Sequence, residues 1–280
     1  MKIGIIGLGF VGGTFAEIFK DSCEIAIYDK FKEDYKDSKS LVGSEIIFIC
    51  VPTPMMESGE IDLSIIHESI KLLSSMKFKE KPLVVIRSTV IPGTSDSLME
   101  RYNFDILSNP EFLREKTAVE DFKNSKRIVV GTDNDENFEK LKSLYKIILP
   151  NSEYVKVDSK TAEMIKYASN VTLTGQIAIA NEMYKVCKAL DIDYNEVKKV
   201  LLLDPRIGKN IEVPGPDGGL GFGGKCFPKD LNALIYKASK EGYNPELFRE
   251  ILELNKRVRK DRDWLKIPGA TAQNNNFADK

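Results

Sequence analysis

The chain has 280 residues, 41 Lys and Arg against 42 Asp and Glu, and a formal net charge of −1. That length holds one large domain or two ordinary ones, and the balanced charge gives no reason to expect nucleic acid or an anionic membrane as partner. With 42% hydrophobic and 30% charged residues the composition is that of a soluble globular protein, and no apolar run is long enough to span a bilayer.

The first half alternates short apolar runs with amphipathic stretches. Residues 2–7 (KIGIIG) read as a buried strand, followed by a helix from about Gly12 to Lys20. The glycines of the opening MKIGIIGLGFVGG, and its lack of a small-residue cleavage site, make this a first strand and not a signal peptide. Further strands are predicted at 24–29, 44–51, 82–89, 104–108 and 127–132, with amphipathic helices at 63–76 and 137–148. Strands that are apolar throughout, alternating with helices, predict a parallel sheet covered on both faces.

After about Pro150 the character changes. Residues 158–191 read as one long helix whose apolar and small residues wrap much of its circumference, so it is expected to be buried on several sides and to form a dimer interface. Shorter helices follow at 194–203, 230–242 and 245–265, interrupted by the Gly- and Pro-rich segment 205–228. The polar residues 271–280 are expected to fray. The expected architecture is therefore α/β: a Rossmann-type doubly wound parallel sheet over 1–157, then an all-helical domain over 158–280 with a long central helix.

Gly7-Leu8-Gly9-Phe10-Val11-Gly12 follows a predicted strand and opens a predicted helix, and Asp29 ends the second strand 22 residues after Gly7. Together these make the dinucleotide fingerprint. Gly7 suits the tight turn, Gly9 the approach of a pyrophosphate, and Gly12 the packing of helix on strand. The helix N-terminus offers free N–H groups and positive potential for phosphates. Asp29 suits the adenosine ribose hydroxyls, which favours NAD over NADP, although the adjacent Lys30 argues the other way. Two more strand ends carry loops where ligands of such sheets bind, with Pro52 and Thr53 in CVPTP (50–54) and Thr89 in RSTVIPGT (87–94). An ordinary turn or helix cap accounts for either threonine equally well.

The four cysteines, Cys23, Cys50, Cys187 and Cys226, form no CxxC pair and read as reduced thiols of a cytoplasmic protein, without a disulfide framework or a metal site. Cys226 stands apart. It follows a run of glycines in GFGGKCFPKD (221–230), a poor place to hide an apolar side chain, and Lys229 is near enough in sequence to favour its thiolate. Asp230 there has the look of a helix cap. Lys166 and Asn170 are four residues apart on the long helix and so share a face; a lysine reaching out to solvent is the plainer alternative. Glu111 and Glu115, in NPEFLRE (109–115), are also four apart and could share one face of a turn. The single histidine, His67, falls on a surface-like amphipathic helix and is left out of the site.

GLGFVGG, CVPTP, STVIPGT, NPEFLRE, AEMIKYASN with ANE, and GFGGKCFPKD occur in the order seen in the UDP-glucose/GDP-mannose dehydrogenase family, and the sequence resembles its UDP-glucose 6-dehydrogenase members most, from residue 1 to about 265. The resemblance implies a two-step, four-electron oxidation of a sugar-nucleotide C6 alcohol to the carboxylate, using two NAD+. It implies that Cys226 forms a thiohemiacetal and then a thioester, that Lys166 and Asn170 stabilise the oxyanion, and that Asp230 handles water with help from Thr89 and Glu111. It further implies that Glu115 and Lys229 lie near the nicotinamide, and that the backbone of Phe112, Leu113 and Arg114 and the loop at Phe222 and Gly223 hold the sugar nucleotide.

The sequence departs from the family pattern in three places. A short form is expected, without the third domain that closes over the nucleotide. The stretch from Asp29 to the next strand is short, and residues 206–224 are unusual. A silent NAD-binding or assembly subunit is the alternative reading. A two-domain hydroxyacid dehydrogenase would share the lysine and asparagine but has no use for a loop cysteine.

Overall fold

Alternation within the strands sets the first layer of architecture. Ile3 and Ile5 of β1 (Lys2–Ile6) enter one apolar cluster and Ile6 enters another, on the opposite face of the sheet. The structure, a computed structural model describing residues 1–274, divides among those residues into two compact units: 1–53 with 62–166, and 54–61 with 167–274.

The first unit runs β1, α1 (Phe10–Phe19), β2 (Glu24–Tyr28), β3 (Ile46–Ile49), α2 (Ser64–Ser75), β4 (Leu83–Ile86), α3 (Thr94–Arg101), β5 (Ile106–Ser108), α4 (Ala118–Lys123), β6 (Arg127–Gly131), α5 (Asp135–Lys146) and β7 (Glu153–Val157). The seven strands order as β2-β1-β3-β4-β5-β6-β7. Phe15 and Phe19 of α1, Phe122 of α4 and Tyr145 of α5 cover one face, and Ile66, Ile70 and Leu73 of α2 with Leu98 of α3 cover the other. Truncating one of these buried rings to alanine costs about 3–5 kcal/mol. The order reverses between β1 and β3, and ligands of open α/β sheets bind at such a switch point.

Two expectations need correction here. The sheet is not wholly parallel: β5 and β6 are antiparallel and pair at only one position, Ser108 with Gly131. The connecting α4 has six residues, about 9 Å of helix, which is too short to return the chain to the far end of the sheet. Side chains reinforce this junction. Asn109 donates to the Val129 carbonyl at 2.7 Å and accepts from both Arg87 and Tyr145, all buried. The sequence reading also passed over α3, α4 and β7: TSDSLMER carries little apolar periodicity, α4 is short, and EYVKV is only half-buried.

The long helix α6 (Ser159–Ala189) starts in the first unit and continues into the second. Gly131 lets it pack closely, since a Cβ there would lie 2.6 Å from that of Ala162. In the second unit come α7 (Tyr194–Leu201), α8 (Phe227–Lys240) and α9 (Glu246–Val258). Tyr194 packs with Ala180, Cys187, Ile211 and Val213 and donates to the Ile211 carbonyl at 2.8 Å. α6 is less enclosed than its composition suggested, with Ile179 69% and Val186 46% exposed. α9 stops at Val258, short of the predicted 265.

The predicted fraying of 271–280 fails where it can be followed. Thr271 is buried and pairs with Met55, whose N–H donates to Ala270 at 3.0 Å and whose carbonyl accepts from Ala272 at 2.8 Å. Residues 275–280 of that expectation lie outside the described residues. Among the described residues no helix is long and apolar enough to cross a membrane, and no group of three or more His, Cys, Asp or Glu side chains could hold a metal ion.

Candidate active site

In the first unit, the turn after β1 is built by its glycines. Gly7 has φ 91°, and a Cβ there would meet the Cys50 carbonyl at 2.8 Å. A Cβ on Gly12 would lie 2.0 Å from the Gly7 carbonyl, whereas one on Gly9 would have nothing within 4 Å. Gly9 is the N-cap of α1, and no side chain caps that helix. The cradle is thus tight underneath and open at Gly9, with N–H groups facing outward, as a pyrophosphate requires. Asp29 braces it by accepting from Leu8 N at 2.7 Å and Phe31 N at 2.9 Å. Phe10 and Val11 form the half-buried first turn of α1. Lys30 is engaged elsewhere, in an ion pair with Glu68 at 2.9 Å.

Pro52 is half-buried at the end of β3. The Thr53 hydroxyl donates to the Thr89 carbonyl at 2.7 Å, which joins the loops after β3 and β4. Cys50, fully buried beneath them, has its thiol pushed up to about 12 by that burial, which suits an inert core residue.

Lys166 does not reach for solvent. Its side chain is 5% exposed and pairs with Glu111 at 3.0 Å, with the ammonium 5.6 Å from the centre of the Phe112 ring. Glu111 also accepts from Leu113 N at 2.6 Å. Removing either partner would strand a buried charge, at a cost of about 3–5 kcal/mol. Glu111 and Glu115 do not share a helical face: 109–114 is neither helix nor strand, and Glu115 is exposed at the start of a single 3-10 turn, Glu115–Thr117. Arg114 turns away to Asp121, at 2.6 Å. Asp121 also accepts from the Thr117 hydroxyl, and the Arg114 guanidinium holds its carboxyl down to about 2.

In the second unit, Asn170 donates to Asp230 at 2.5 Å, and Lys229 donates to the other Asp230 oxygen at 2.6 Å. All three are buried. Asp230 is therefore not a helix cap. α8 begins three residues earlier than expected, with Cys226 as N-cap and Pro228 in the first turn, and this turns the Asp230 side chain inward. The Lys229 ammonium is paired with Asp230. Cys226 is half-buried at the positive end of a fourteen-residue helix.

The glycine loop before Cys226 is held from a distance. Asn255 accepts from Phe222 N at 2.8 Å and donates to its carbonyl at 2.9 Å. Gly221 N donates to Asn181, and Gly224 N to Asp263. Gly221 (φ 70°) and Gly223 leave no room for a Cβ, which would lie 2.2 Å from Asn255 and 2.3 Å from Asp263. Arg259, 8% exposed, lies under the loop and pairs with both Asp217 and Asp263.

His67 is half-buried beside the Tyr102 hydroxyl at 3.3 Å, where burial lowers its pKa, and it takes no part. The sequence reading missed Asn181, Asn255, Arg259, Asp263 and Glu163. Only Glu163 left a trace: it falls at i−3 and i−7 from Lys166 and Asn170, a charge on a buried face.

Comparison with known proteins gives the family. Residues 27–149 match the NAD binding domain of the UDP-glucose/GDP-mannose dehydrogenase family, and residues 160–257 match its central domain. A UDP-glucose 6-dehydrogenase of Haloferax volcanii is 32% identical over 302 residues, covering 91% of this chain and 69% of that protein. The chain belongs to the UDP-glucose/GDP-mannose dehydrogenase family. A UDP-glucose 6-dehydrogenase of Rickettsia felis is 39% identical over 233 residues, covering 81% of this chain and 50% of that protein, so the chain spans about half the length of this relative. Among solved structures, a UDP-glucose dehydrogenase from Pyrobaculum islandicum superposes with a TM-score of 0.80 at 29% identity, covering 91% of this chain and 68% of that one. The family's NAD-binding sheet and its helical central domain are thus both present.

Proposed function

We propose that this protein oxidises the C6 alcohol of a nucleotide sugar, UDP-glucose by preference, to the uronate. The observation that carries the reading is the burial of two polar sets, Lys166–Glu111 and Asn170–Asp230–Lys229, in a chain that also bears a complete dinucleotide cradle and a cysteine at a helix N-terminus. NAD, held at Gly7–Gly12 with Asp29 at the adenosine ribose, would supply the hydride acceptor for each of two oxidations. Pro52, Thr53 and Thr89 would line its path.

In this reading the Cys226 thiol adds to the aldehyde left by the first oxidation. The second oxidation leaves a thioester, which water cleaves to carboxylate and free thiol. Lys166 and Asn170, one turn apart on α6, stabilise the oxyanion through fixed donors, where such donors contribute most. Glu111 keeps the Lys166 side chain in place, and Asp230 orients water. The backbone of Phe112 and Leu113 and the loop at Phe222 and Gly223 hold the sugar nucleotide. A homodimer is part of the proposal: Ile179, Met183 and Val186 leave an exposed apolar stripe on α6 at helical spacing, continued by Leu190 just past its end. The four reduced cysteines fit a cytoplasmic setting.

The test is NADH formation with UDP-glucose and GDP-mannose, with product analysis. Two NADH per uronate are expected, and Cys226→Ala should stop the carboxylate from forming. NAD binding without turnover of either sugar nucleotide would favour the silent-subunit reading instead.

A further inference from the structure

Glu163 is a buried carboxylate to which the proposed reaction gives no role. It lies on α6 one turn before Lys166 and accepts four hydrogen bonds from the start of α3. Gly93 N donates at 2.6 Å, Thr94 N at 3.2 Å, Ser95 N at 2.8 Å and the Ser95 hydroxyl at 2.7 Å. Gly93 is left-handed, with φ 97°, which aims these N–H groups at one point. An ordinary cap satisfies one such donor from a local side chain; here one distant carboxylate takes three backbone N–H groups and a hydroxyl.

The segment so held is the loop that carries Thr89. Its near end is pinned to the end of β3, where the Ser88 hydroxyl donates to Val51 at 2.6 Å and Thr53 donates to Thr89 at 2.7 Å. Its far end is held by Glu163 and by the turn Thr94 closes on Ile91. The sheet order gives this loop a definite side. β1 separates β2 from β3 and β4, so Asp29 and Thr89 stand on opposite sides of the Gly7–Gly12 turn. A dinucleotide laid across that switch point, with its adenosine at Asp29, extends its nicotinamide half toward β4.

We propose that Glu163 is a positioning residue that fixes the 89–94 loop for the nicotinamide half of the dinucleotide. The inference rests on the NAD-dependent reading above. The same helix face carries Lys166, so one rigid element registers both the cofactor loop and a proposed oxyanion donor.

Glu163→Gln keeps the shape but turns amide hydrogens toward the backbone donors. The experiment compares NAD with ADP-ribose, which lacks only the nicotinamide, by calorimetry on the full chain at pH 8. Thermal unfolding is followed in parallel. Glu163→Gln should bind NAD about tenfold more weakly, the equivalent of one or two lost hydrogen bonds, and ADP-ribose within about twofold of wild type. Ser95→Ala, which leaves the three backbone bonds in place, should move NAD affinity the same way by about threefold. It carries the test if Glu163→Gln does not fold. Unchanged NAD affinity, or an equal loss for both ligands, overturns the proposal, because general loosening would weaken both. A wild-type chain that binds ADP-ribose but not NAD overturns it too, and one that binds neither removes the cofactor reading beneath it.

Discussion

The chain has two glycine loops that are supported in opposite ways. Residues 7–12 lean chiefly on backbone, Gly7 against the Cys50 carbonyl and Gly12 against the Gly7 carbonyl, with Asp29 as a side-chain brace on Leu8 N. Residues 219–224 lean on side chains from 30 to 40 positions away, Asn255, Arg259, Asp263 and Asn181. The first loop is a property of a strand, a turn and a helix in succession, so almost any sequence with those glycines forms it. The second exists only after α6 and α9 have packed. A cofactor cradle can therefore be inherited as a short motif, whereas the loop before Cys226 depends on the whole helical unit.

The contrast can be broken most severely at Gly12. Gly12→Ala puts a methyl 2.0 Å from a backbone oxygen that cannot move aside, and should cost roughly 3 kcal/mol as read by thermal unfolding. Gly9→Ala meets nothing, so its stability should change by less than about 0.5 kcal/mol while NAD affinity falls. Equal losses at the two positions would show that the cradle is not backbone-supported.

Asn255→Ala tests the other loop. It unpairs the buried N–H and carbonyl of Phe222, and the expected loss is about 2 kcal/mol in a urea titration. Activity with UDP-glucose should fall further than NAD affinity, because the first loop is untouched. A parallel fall in both would make the two loops one cooperative structure.

The smallest effect belongs to an intermediate case, the 112–114 segment, which is locked by Asp121 seven residues on. Arg114 depresses the Asp121 carboxyl to about 2. A depressed acid stabilises the fold above its unfolded pKa, near 4, and that contribution fades as pH falls through about 2. Asp121→Asn should thus lose about 1 kcal/mol at neutral pH, allowing for the exposed Arg114, and nothing below pH 2. A difference that persists in acid would assign the effect to packing.

These cases also explain what the sequence disclosed. The strands 24–29, 44–51 and 82–89 were legible because uniform apolarity between turn residues has few other meanings, and the cradle because its spacing is local. Cys226 stood out by its glycines. The burial of Lys166 and Asp230 was not legible. Both looked like exposed or capping groups until long-range partners, Glu111 for one and Asn170 for the other, made burial affordable. Asn255 and Arg259 left no periodic trace, since a polar residue at the end of an amphipathic helix usually faces water. The direction of β6 was hidden because apolarity does not encode strand polarity, and the short α4 that decides it has only six residues.

That reversal leaves a seam in the sheet. Across β5 and β6 a single residue pair replaces a full ladder, and Arg87, Asn109 and Tyr145 bridge the gap with side chains. A ladder melts residue by residue, but a three-group staple releases at once. Strands β6 and β7 with α5 are thus expected to open as a unit, their amides exchanging with solvent together while those of β1 to β4 stay protected.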